Sequence, residues 1–113
     1  MEDTKSIQAA EEHFKRGEAY AKEKKMNDAL NEYSEAIRLN PKFVAAYNNR
    51  GIIYLLKENY DLAIDDFDKA LFYDPENTIA SNNRRLAIDA KKNGSMPLGP
   101  ITMEPVVRPE SNM

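Results

Sequence analysis

The sequence predicts an all-α protein built as a short stack of helix pairs, and three observations predict it. First, sliding the chain by 34 residues lays Gly17 on Gly51, Tyr20 on Tyr54, Ala29 on Ala63, Tyr33 on Phe67, Ala36 on Ala70 and Pro41 on Pro75. Softer matches fill in: Leu30 with Ile64, Ile37 with Leu71 and Asn40 with Asp74. A self-match at one fixed offset of this length marks a stacked repeat. Second, each unit holds two apolar runs at helical spacing. Third, Asn40-Pro41 and Asp74-Pro75 interrupt the chain between units, where proline removes an amide donor and pre-sets the first turn of the next helix.

The elements follow in order. Helices are expected over about 5–23, 27–39, 42–57, 61–73 and 77–92. In the second unit Tyr47, Ile53, Tyr54 and Leu56 mark one helix, and Ala63, Ile64, Phe67, Ala70 and Leu71 the next. Lys57-Glu58-Asn59 lies between them as a polar turn. Gly17 and Gly51 on the first helix of each unit, with Ala29 and Ala63 on the second, let two backbones approach closely. The last helix offers Ile79, Leu86 and Ala90 as inner positions, with charge over much of the rest, and Gly94 stops it as a left-handed cap. One exposed face on a final helix is what a repeat array needs at its end.

Composition bounds the rest. Of 113 residues, 42% are hydrophobic and 31% charged, a globular mixture in a chain long enough for one small domain. No run approaches the ~18 consecutive apolar residues of a membrane span, so no membrane partner is expected. The acidic, polar start Met1-Glu2-Asp3-Thr4-Lys5 is unlike a secretory signal, and the chain has no cysteine for a disulfide or thiolate metal site. A cytoplasmic location is the expectation. The net charge of −3 argues against nucleic acid, which calls for a basic face.

The 34-residue pattern resembles the tetratricopeptide (TPR) repeat. Residues 10–43 carry Gly17, Tyr20, Ala29, Tyr33, Ala36 and Pro41 at the family's signature positions, and residues 44–77 carry Tyr47, Gly51, Tyr54, Ala63, Phe67, Ala70 and Pro75. The resemblance implies a right-handed helical-repeat solenoid: a domain over 1–94 with two full units and a capping helix over 78–93. There are departures. His13 replaces the usual large aromatic near the start of the first unit, Arg16 and Arg50 replace a common leucine, and Arg85 stands where the signature glycine would fall.

Catalytic chemistry finds no support. His13, the single histidine, has no evident nucleophile or orienting partner and is expected to pack between the two helices of the first unit. Asp61, Asp65, Asp66 and Asp68 fall on a helical pattern, without the alternating ligands and glycine turn of a calcium loop, and are expected on a solvated face. Phe72-Tyr73 reads as core and inter-unit packing. No enzyme activity, cofactor or metal is expected.

A binding groove is the remaining candidate. The resemblance implies that the first helix of each unit lines it, which places Phe14, Lys15, Glu18, Asn48, Asn49, Ile52, Leu55, Asn82, Asn83 and Leu86 there. Asn48 and Asn49 recur 34 residues on as Asn82 and Asn83. Each carboxamide is both donor and acceptor, so a row of them can pair with the backbone of an extended peptide whatever its sequence. Phe14, Ile52, Leu55 and Leu86 would add apolar contact. This resembles the asparagine ladder in the TPR region of the O-linked N-acetylglucosamine transferase. The family's carboxylate clamp, which grips a C-terminal Glu-Glu-Val-Asp, is not expected, because Glu18 occupies one of its positions and would repel a carboxylate.

The function expected is therefore a scaffold that holds a protein or extended peptide in the concave groove. Two units fall short of the roughly three such stacks usually need, which leaves self-assembly into homo-oligomers, a fragment of a longer array and an engineered module as alternatives. Residues 95–113 change character: Pro97, Pro100, Pro105 and Pro109 preclude a regular helix, and Leu98, Ile101, Val106 and Val107 are too few for a core. They read as an extended tail, either a natural terminus or linker, or a fused peptide opening at Met96 after Gly94-Ser95. Either tail could fold back as an intramolecular ligand, its short tether supplying a millimolar-scale effective concentration.

Overall fold

The computed structural model describes residues 3–94 and 102–104. Most of the tail expected over 95–113 lies outside the described residues. The chain forms α1 (Thr4–Lys22), α2 (Met26–Leu39), α3 (Val44–Leu56), α4 (Tyr60–Tyr73) and α5 (Thr78–Asn93). Helix α1 pairs with α2 and α3 with α4, while α2 against α3 joins the pairs and α5 closes on α4 and α3. Among the described residues there is no strand, so the fold is an all-α helical repeat.

Each helix pair closes on a glycine and a ring. A Cβ built on Gly17 would lie 2.7 Å from the Tyr33 ring, and one on Gly51 would lie 2.7 Å from the Phe67 ring. Hydrogen alone at those two positions lets the ring of the second helix press against the first helix's backbone. Ala29, Ala36, Ala63 and Ala70 are fully buried beside them. Phe14 stacks on Phe43 at 5.0 Å and tilts against Tyr33 at 5.5 Å, tying the first pair to the start of the second.

The two turns inside the units are copies of one another. Lys24 and Glu58, 34 residues apart, adopt left-handed φ values of 62° and 63°. The amide of Lys25 donates to Tyr20 O at 2.9 Å, and that of Asn59 to Tyr54 O at 2.8 Å. This six-to-one bond after a left-handed residue is the Schellman ending, made here without glycine. At the end of α5, Gly94 takes φ 72°.

Several expectations need correction. Pro41 and Pro75 lie in the turns between units, before the next helix begins, not in its first turn. Phe43 N donates to Asn40 O and Asn77 N to Asp74 O, which makes each proline the second residue of a β-turn. The buried ridge of α5 is Ala80, Asn83, Ala87 and Ala90, whereas Ile79 and Leu86 are half-buried. Small residues face inward because α5 lies close against α4. Phe72 is 74% exposed, and of the aromatic pair it is Tyr73 that packs, stacked on Tyr47.

The arginines at the departed leucine positions form a polar ladder. Arg50 Nε and Nη2 each donate to a different oxygen of Asp66 at 2.8 Å, and its Nη1 reaches Ser34 Oγ at 3.1 Å. Asp66 is therefore not on a solvated face: it is 4% exposed and paired. One unit earlier Arg16 faces Glu32 at 4.0 Å, and one unit later Arg84 binds Asp68 at 2.5 Å. His13 does sit between α1 and α2, but as a polar link, its Nδ1 2.7 Å from Glu32 Oε1.

Candidate functional site

Helices α1, α3 and α5 line a groove, and α3 carries its polar centre. Asn48 and Asn49 lie mid-helix with no exposed surface, and Asn83 on α5 is 2% exposed. A buried carboxamide must have its donors and acceptors met, or it costs about 1–3 kcal/mol per unsatisfied group. A neighbouring side chain meets part of that demand: Asn83 Nδ2 donates to Asn48 Oδ1 at 3.4 Å.

Residues 102–104 meet more of it. Glu104 N donates to Asn49 Oδ1 at 2.7 Å, and Asn49 Nδ2 donates to Glu104 O at 2.8 Å. One carboxamide thus takes both polar groups of one residue, as a neighbouring strand does in an antiparallel pair. Asn83 Nδ2 donates to Thr102 O at 3.0 Å. In extended backbone, groups of residues two apart point to the same edge, and here that edge faces the asparagines. The segment crosses from α5 to α3, so it runs against the order of the helices. The equivalent place on α1 holds Lys15, which is exposed.

The side chains part to either side of this edge. The Glu104 carboxylate accepts from Asn48 Nδ2 at 3.3 Å and from Asn77 Nδ2 at 3.2 Å, both at Oε1. Burial pushes this carboxyl above its ordinary value. The bonds from Asn77 and Asn48 pull it back, and Asp74 raises it again. Met103 packs against both main core clusters and borders a cavity of about 340 Å³ with Ala21, Met26, Ile52 and Leu56. Glu18 lines that cavity too, its carboxyl raised by burial against the lowering effect of Lys22 and Lys15.

Of the residues expected in the groove, Asn48, Asn49, Ile52 and Asn83 come together around the segment, with Glu18 at the rim of the cavity. Phe14 is fully buried between Tyr33 and Phe43, in the cluster against which Met103 packs. Leu55 is likewise fully buried, in the cluster with Ile52, Ala63, Phe67 and Ala87 against which Met103 also packs. Asn82 is exposed and Leu86 half-buried. Sequence reasoning passed over Asn77, Met103 and Glu104. A signal was present for the last: Pro105 follows Glu104, and a residue before proline is biased to extended backbone.

Among the described residues no three histidine or acidic side chains converge as a metal site, and no helix is long and apolar enough to cross a membrane.

Comparisons with known proteins agree with the helical-repeat fold. Two family models match, one described as a tetratricopeptide repeat over residues 44–77 and one as a TPR repeat over residues 17–58. Among solved structures 19 chains match. One is the TPR domain of OM64 from Arabidopsis, 32% identical, with a TM-score of 0.75, over 78% of this chain and 73% of that one. The chain belongs to the tetratricopeptide-repeat family. A search among curated proteins finds no match. The TPR fold is typically a scaffold for protein–protein interaction, which is the coarse function that these matches suggest.

Proposed function

We propose that this TPR domain binds an extended peptide segment across α3 and α5, held by its backbone through Asn49 and Asn83, and that it carries no chemistry of its own. The observation that carries the reading is the two-way pairing of Asn49 with the backbone of Glu104. Two buried asparagines one repeat apart, each engaging main chain, form a reader of extended backbone that needs no particular sequence at those contacts. The segment that engages them belongs to the chain itself, so a partner competes with a tethered ligand.

Three backbone bonds at about 0.5–1.5 kcal/mol each give weak affinity on their own, and a tethered competitor weakens it further. A peptide copying residues 99–106, added to the full chain and followed by chemical-shift mapping, is expected to bind at high micromolar to millimolar concentration and to perturb α3 and α5. The double variant Asn49→Ala, Asn83→Ala should lose that binding while its thermal melt still reports a folded helical domain. Undiminished binding by that folded variant refutes the reading.

A further inference from the structure

The groove contacts more than main chain, and what it contacts has a definite chemistry. Two neighbouring side chains are seated on opposite sides of the backbone edge. Met103 lies toward the C-terminal ends of α1 and α3, over Ala21, Ile52 and Leu56. Glu104 lies toward the N-terminal ends of α3 and α5, at Asn48 and Asn77. Asn49, between these ends, holds the backbone. Alternation along an extended chain makes this the natural arrangement for consecutive residues.

The donors at the glutamate are two neutral carboxamides that converge on one oxygen. Among the described residues, the charge that acts on it is Asp74, an anion. Asn77 is also fixed in place, because its Oδ1 accepts from Ala80 N at 2.8 Å as the cap of α5. Such a site rewards an acceptor oxygen at the right reach and gives little to a negative charge. Burial raising the Glu104 carboxyl is consistent with that. On the other side, Met103 is flexible and unbranched and packs against the two apolar clusters, and the cavity beside it, which Glu18, Lys22 and Lys24 line together with Ala21, Met26, Ile52 and Leu56, leaves room for a bulkier group.

We infer that the groove selects, within an extended segment, a large apolar side chain followed immediately by glutamate or glutamine, and reads the second residue by its side-chain oxygen and not by charge. The inference rests on the peptide-groove reading above and adds a two-residue specificity to it. The partner it fits is a protein with an exposed, extended segment carrying a Met/Leu/Phe-Glu/Gln pair; residues 103–104 are the chain's own copy.

The test uses the full chain and reads hydrogen exchange of the Glu104 amide, which donates to Asn49, so each variant reports docking at one atom. Glu104→Gln should keep the amide as protected as in the unaltered chain, or more so. Glu104→Ala, which leaves Asn48 and Asn77 without their acceptor, and Glu104→Asp, whose oxygen falls one methylene short, should each lower protection at residue 104 at least five-fold. Met103→Leu should hold protection and Met103→Ala should lower it at least five-fold. If Gln behaves as Ala does, the site reads charge and the inference falls. If all variants match the unaltered chain, no side chain is read, and it falls equally. An amide that exchanges at the free-peptide rate in the unaltered chain would instead remove the underlying groove reading.

Discussion

Replacing Arg50 by leucine, the residue common at this position in the family, should damage this protein. Arg50 and Asp66 share two bonds of 2.8 Å, with side chains only 20% and 5% exposed. Arg50 also lies over the Tyr54 ring at 5.8 Å. Its removal leaves a carboxylate buried without its counter-charge, and breaking a buried pair from one side costs about 3–5 kcal/mol. A fifth of the arginine still meets water, so the low end applies, about 3 kcal/mol. For a domain of this size that is a fall in Tm of roughly 12–24 °C. The loss should depend on pH. Burial already raises the Asp66 carboxyl above its ordinary value despite Arg50, and without Arg50 it rises further. A carboxyl raised in the folded state favours folding below its unfolded value and loses that contribution as pH rises through the folded value. The deficit of Arg50→Leu is therefore greatest at neutral pH and shrinks on acidification. Adding Asp66→Ala removes the stranded charge and should restore most of the loss. Arg16→Leu is the control: its partner Glu32 is 4.0 Å away and Arg16 is 56% exposed, so it should cost under about 1 kcal/mol. Urea denaturation of the three variants and the unaltered chain at pH 7 and pH 5 measures all of this. A single-variant loss below 1 kcal/mol, or a double variant no better than the single, refutes the reasoning.

Two further predictions concern the scaffold. Gly51→Ala drives a methyl to 2.7 Å from the Phe67 ring and should cost about 1–3 kcal/mol by overpacking, visible as a lower urea midpoint with an unchanged slope. Lys24→Gly and Glu58→Gly should each stabilise by about 0.5–1 kcal/mol, because glycine relieves left-handed backbone at φ 62° and 63°; differential scanning calorimetry should show both Tm values rise.

The 34-residue period, the need for glycine at 17 and 51 where the helices of a pair close, and the element order were legible in the sequence, because each is local or repeats; that a ring of the second helix fills each glycine's place was not. A stacked repeat makes the same contact in every unit, so Gly17 with Tyr33 announces Gly51 with Phe67. The pair Asn49 and Asn83 was legible for the same reason. Lys24 and Glu58 were not, since nothing in their side chains announces a left-handed turn; closure of the two helices imposes it. Nor was the burial of Asp66, which on its own helix looks like one of several surface aspartates. Only the tertiary structure decided its fate, because Arg50 reaches it from α3. Likewise Phe14 has the spacing of a groove residue, and it is the ring of Phe43, delivered by the turn between units, that closes over it. The site divides along the same line. The asparagines that bond the segment's backbone are written in the repeat, whereas the seats of Met103 and Glu104 draw on α1, α2 and α3 and on the cap residue Asn77. Such a non-repeating set comes together only when the helices stack.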